Sequence, residues 1–205
     1  MSAIDTKQKI LDCAEKLFAL HGFRGTSLRR ITAAADVNLA AVHYHFGSKD
    51  GLIEAVFERR MEPLNAERME RLQHVRATSG YGAEAVLRAF IEPTLRFSEQ
   101  GGGSREFLSL IGRALIEPDE RLRQMFFRLV SPLFLLLLDM MCEALPHLDR
   151  QVLFWRLNFA LGAMGRYLCL AEPLQSVAGD MVGEVSGAQR SDLLIDFILH
   201  GIAAS

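Results

Sequence analysis

Apolar residues recur along nearly the whole chain at three- and four-residue intervals. No run alternates with the period of two that a half-buried strand requires. Ile10, Leu11, Ala14, Leu17 and Phe18 trace one face of a first helix, with Thr6 placed to cap its start and His21-Gly22 to end it. Thr26 and Ser27 offer caps for a short helix that points Leu28 and Ile31 inward. Asp36 breaks that helix, and Asn38 can cap the next, over about 39–46. Ser48 then opens a long helix to about residue 78, with Pro63 as a kink. Clear breaks fall at 79–82 and 101–103. Between them Glu84, Arg88, Glu92 and Arg96 alternate in sign at every fourth position, a solvated ladder of ion pairs. Further helices are predicted over 104–116, 118–145, 149–171 and 190–204, and the Gly-rich polar stretch 173–189 reads as a loop. The pattern predicts an all-α fold.

The last two helices carry more apolar surface than one small core can use. Residues 152–170 are apolar on nearly every face, interrupted only by Arg156, Asn158 and Arg166. The final helix sets Leu193, Leu194, Phe197, Ile198 and Ile202 opposite Asp192, Asp196 and His200. Gly162, Ala163 and Gly165 would let a neighbouring helix approach closely. These features predict a dimer interface built around Phe159, Gly162, Ala163, Leu193, Leu194, Phe197 and Ile198, with a larger internal core as the alternative.

Composition narrows the class. The 205 residues are half apolar and 23% charged, as in a soluble globular protein. Cys13, Cys142 and Cys169 form no CxxC pair, so neither a disulfide framework nor a zinc site is expected, and a reducing cytoplasm is. No signal peptide is apparent, and the most apolar run, 130–141, reads as too short to span a bilayer. Net charge is −2, divided as +2 over residues 1–50 and −4 over the rest, with all four lysines in the first fifty. A basic head on an acidic body permits contact with nucleic acid.

The stretch VNLAAVHYHFGSKDGL, residues 37–52, is where chemistry concentrates. His43 and His45 are two apart and diverge by about 200° on a helix, so they do not chelate a metal. No nucleophile elbow, phosphate loop or carboxylate pair appears, and neither enzymatic chemistry nor a metal or cofactor is expected. A helix, a tight turn at Asp36-Val37 and a second helix from Asn38 instead describe a helix-turn-helix. With Val37, Val42 and Phe46 inward, Leu39, Ala40, Ala41, His43 and Tyr44 remain outward. Small residues at the start of that arc can enter a major groove, where Leu39 and Ala40 suit thymine methyls. Tyr44, Lys49 and the Thr26 and Ser27 hydroxyls suit phosphates.

With its helix spacing, its "YHF.SK" close and the long helix that follows, residues 8–52 resemble the DNA-binding domain of the TetR family of bacterial regulators. The resemblance implies an all-helical homodimer with a DNA-binding domain, residues 1–47, and a regulatory ligand-binding and dimerisation domain, residues 48–205. By position it places Arg29, Leu39, Ala40 and His43 toward bases, and Thr26, Ala41, Tyr44 and Lys49 along phosphates. Asp36 stands where the family usually has a turn glycine, and Leu39 and Ala40 where it often has polar residues. "FLSLIGRAL" and "FWRLNFALGAMGRY" are similar to a branch responding to long-chain fatty acids or acyl-CoA esters. Phe90, Phe107, Leu110, Phe126 and Leu129 could line such a pocket, with Asn158 and either Arg113 or Arg166 as the polar handle. Two rivals stay open: a regulator of efflux that answers to lipophilic drugs, and a helical carrier or enzyme that does not bind DNA.

Overall fold

The computed structural model describes residues 3–99, 103–116, 119–179, 183 and 185–204, excepting the side chains of residues 3, 4, 105, 109, 113–116, 169–176 and 178. The fold is all-α, and among the described residues there is no strand. The helices are α1 (Ala3–Gly25), α2 (Leu28–Ala35), α3 (Leu39–Phe46), α4 (Lys49–Ala77), α5 (Ala83–Glu99), α6 (Ser104–Ile116), α7 (Glu120–Ala144), α8 (Arg150–Ala178) and α9 (Gly187–Ala203). They form two compact units. Unit 1 takes Met1–Pro63 and Gly101–Leu129, and unit 2 takes Leu64–Gln100 and Val130–Ser205.

In unit 1, α1 packs on α2, α3 and α6. Its core carries a chain of rings: Phe18 to Phe23 at 5.5 Å, Phe23 to Phe57 at 6.1 Å, and Phe57 to Phe107 at 5.7 Å. Helix α1 is not regular to its end, because Gly22 sits at φ 72, ψ 170, a conformation open to glycine. A buried ion knot ties the unit. Glu15 accepts from both Arg59 and Arg60, the latter at 2.9 Å, while Arg59 also pairs with Asp12 at 2.6 Å.

In unit 2, α5 packs on α8 and α9, and α8 on α9. The predicted ladder forms: Arg88 pairs with Glu84, Glu92 and Asp192, and Arg96 with Glu92 and Glu67. Arg156 donates to the Ile202 carbonyl at 2.8 Å and to that of Ala204, satisfying the end of α9.

Two expectations need correction. Helix α8 runs on to Ala178, so its last turns occupy the first part of the expected loop 173–189. Helix α9 begins at Gly187 because Ser186 and Gln189 form a reciprocal capping box that the composition had disguised. Helix α7 is, by length and apolarity alone, long enough to cross a bilayer. Its Leu133, Leu137, Leu138, Met140 and Met141 are buried in the core of unit 2, while Phe127 and Leu135 are exposed.

Candidate nucleic-acid interface

Local chemistry builds the reading head residue by residue. Ser27 caps α2 by accepting from the Arg30 amide at 3.3 Å, and Asn38 caps α3 by accepting from the Ala41 amide at 2.9 Å. Between them Asp36 takes the left-handed conformation, φ 53, which an aspartate tolerates better than most residues. The turn closes as Val37 N–H donates to the Thr32 carbonyl at 3.0 Å. Ile31 and Val42 are fully buried beneath the two helices.

Above that core, Leu39, Ala40, His43 and Tyr44 are exposed and Ala41 is half-buried, with Tyr44 83% exposed. Arg29 and Arg30 are also exposed. Among the described residues neither makes a side-chain hydrogen bond or ion pair, in contrast to the paired arginines of α5. Arg30 is not singled out by the sequence pattern, although the doublet in SLRR is its signal. His43 Nδ1 lies 2.9 Å from the Gly47 carbonyl. In the neutral ring Nδ1–H is therefore the donor, and Nε2 is left as an acceptor. Lys49 is half-buried at the start of α4, where Ser48 accepts from the Gly51 amide at 3.0 Å.

Thr26 departs from expectation. It is 1% exposed and its single hydroxyl proton is shared between the carbonyls of Gly22 at 2.9 Å and Leu17 at 3.0 Å. The side chain is used to staple the irregular end of α1, so the phosphate contact expected of its hydroxyl is withdrawn.

The expected ligand-pocket residues are divided between the two units. Phe107 and Leu110 are fully buried in unit 1, where Phe107 packs on Phe57. Phe126 and Leu129 are half-buried in the same unit, and Phe90 belongs to the core of unit 2. Asn158 is exposed and donates to the Phe154 carbonyl one turn back, at 2.8 Å. Arg166 is exposed on α8 rather than held among apolar groups. The Arg113 side chain lies outside the described residues.

On α8 and α9, Trp155, Phe159, Leu193 and Phe197 are between 54% and 70% exposed. Ala163 and Leu194 are half-buried, and Gly162 faces open space, with nothing within 4 Å of an added Cβ. Ile198 is the exception: it is buried in the chain's own core because it points at α5 and α8 rather than outward, so it leaves the interface set.

A helix-turn-helix with unpaired arginines beside it, joined to a helical body, defines the class of helix-turn-helix DNA-binding proteins. Residues 10–56 match the bacterial regulatory proteins of the tetR family, and residues 88–201 match the tetracyclin repressor-like C-terminal domain. The chain belongs to the TetR family, whose members are transcriptional regulators rather than enzymes. Among curated proteins it is 49% identical over 51 residues to the "Probable HTH-type transcriptional regulator YttP" of Bacillus subtilis, 25% of each chain. It is 30% identical over 94 residues to the HTH-type transcriptional repressor AcnR of Corynebacterium efficiens. The matched stretch spans only 25% of YttP and 45% of AcnR. Among solved structures, the fatty acid degradation regulator FadR of Bacillus halodurans superposes with a TM-score of 0.70 at 14% identity, over 97% of this chain and 95% of that one. NalD of Pseudomonas aeruginosa, a secondary repressor of a multidrug efflux pump, gives 0.63 at 24% identity over 98% of each chain.

Proposed function

We propose that the protein is a cytoplasmic repressor that binds an inverted-repeat operator as a homodimer and is switched by a small-molecule effector. The observation that carries this reading is the unpaired basic and small-residue surface of α2 and α3. Arg29 and His43 read base edges, Leu39 and Ala40 meet thymine methyls, and Ser27, Tyr44 and Lys49 lie along phosphates. The exposed aromatic face of α8 and α9 supplies the two-fold contact, which in turn makes the operator two-fold.

A long-chain fatty acid or its acyl-CoA ester is the effector class favoured, on the resemblance of the α6 and α8 segments and on the fold likeness to FadR. The effector acts only through unequal affinity for two spacings of the reading heads. A mobility shift on the DNA upstream of the protein's own gene tests the reading. Lys49→Ala should weaken binding to all sequences alike and reduce the slope of log K against log salt by about one unit for each phosphate no longer neutralised. Arg29→Ala should instead relax preference at particular base pairs. If Lys49→Ala changes base preference and leaves the salt slope untouched, the division into phosphate and base contacts is wrong.

A further inference from the structure

Unit 1 contains a half-open cleft of about 460 Å³ between the end of α1, the first turns of α4 and the first turns of α7. That volume falls in the range of small-molecule sites. Its floor is apolar: Phe23, Ile53, Leu122 and Met125, each under a tenth exposed. Its mouth is charged, but most of the charge is committed. Arg121 pairs with Asp50 at 3.3 Å and Arg128 pairs with Glu54, two straps from α7 to α4. Asp119 accepts from the Arg121 amide at 3.1 Å and the Leu122 amide at 3.4 Å, and so is occupied in starting α7. Lys49 also lines the cleft, and among the described residues its ammonium has neither an ion pair nor a hydrogen bond. The lining holds four basic residues against three acidic ones, so the balance is one positive charge above a greasy floor.

We propose that this cleft binds a small monoanionic amphiphile, with its head on Lys49 and its body on Phe23, Ile53, Leu122 and Met125. The net balance of one positive charge in the lining matches a single negative charge, and a cation would leave Lys49 repelled rather than paired. The Arg121–Asp50 strap does not hinder entry, because both residues are more than two-thirds exposed and such pairs add little stability. Occupancy has a consequence that rests on the repressor reading and is separate from the head-spacing effect of the effector: the ligand takes the ammonium assigned above to a phosphate, so it lowers DNA affinity by competition for one group.

Calorimetric titration of octanoate into the full chain without DNA tests the site, with octylammonium as the oppositely charged control. Octanoate should bind at least about tenfold more tightly than octylammonium. Lys49→Gln should weaken octanoate by about tenfold, and Met125→Trp, which fills the floor, should abolish binding. Melting curves establish that the variants fold, and Leu122→Trp replaces Met125→Trp if the latter does not. Equal binding of both amphiphiles, octanoate binding untouched by both substitutions, or no binding at all overturns the proposal. A protein that binds octanoate as described yet ignores operator DNA leaves the site standing and removes the repressor reading. The reverse result removes the site alone.

Discussion

Arg68 is 5% exposed, has no carboxylate bonded to it among the described residues, and is held by neutral groups. Its Nε donates to the Phe90 carbonyl at 3.1 Å, a terminal nitrogen donates to Thr94 Oγ1, and the guanidinium lies 4.5 Å from the centre of the Phe90 ring. Pro93 explains the arrangement, because a proline inside α5 removes one amide and loosens the carbonyls of the preceding turn, which then seek outside donors. Burial pushes the Arg68 pKa down to about 10, opposed only by the nearby Glu67 charge. Arg68→Met should cost about 1–3 kcal/mol in urea unfolding, since the Phe90 carbonyl and Thr94 hydroxyl lose their donor. Stability equal to the parent chain would mean that relief of the buried charge offsets that loss. Arg68 was legible in principle: Leu64 and Leu72 flank it at four-residue spacing on an apolar stripe, whereas the small neighbours of Arg166 cover nothing. At the reading head, neutral His43 offers an Nε2 acceptor, which suits the amino group of adenine or cytosine. Operators selected from random DNA should carry such a base opposite His43, and selection with His43→Ala should lose that preference.

At the scale of elements, the ion knot depends on a glycine outside any helix. Gly103, φ 94, precedes α6, and a Cβ there would stand 2.6 Å from Arg60 Nη2 and 2.9 Å from Glu15 Oε1. Gly103→Ala should destabilise unit 1 by about 2 kcal/mol, combining left-handed strain with displacement of the knot. Glu15→Gln should cost about 1–3 kcal/mol, because it removes the buried carboxylate that Arg59 and Arg60 share while Arg59 keeps Asp12. Thermal melts of the two variants measure both. The caps Ser27 and Asn38, the break at Asp36 and the bounds of α3 and α6 were legible, because each depends on chemistry local to a few residues. The run of α8 past Pro173 was not, since a proline usually signals an end. Pro63, Pro93 and Pro132 also lie inside helices here. The ligand set was not legible to the same degree, because helical spacing identifies an inward face but not which of two cores it faces.

For the whole molecule, the proposed dimer predicts that Phe159→Glu yields monomers in sedimentation at micromolar concentration, with operator affinity falling sharply. A dimer of undiminished stability would remove α8 from the interface. The expected division after residue 47 follows the reading head, whereas the packing units interleave: unit 1 is left at Pro63 and completed only by 101–129. On the ribosome, the head emerges long before the wall that supports it. Phe57 must wait for Phe107, roughly fifty residues later, which at about 5–20 residues per second is several seconds of exposure. A nascent chain stalled before α6 should therefore be open to protease and chaperones around α1 and α4. Until α6 is translated, α1 lacks one of the helices it packs on.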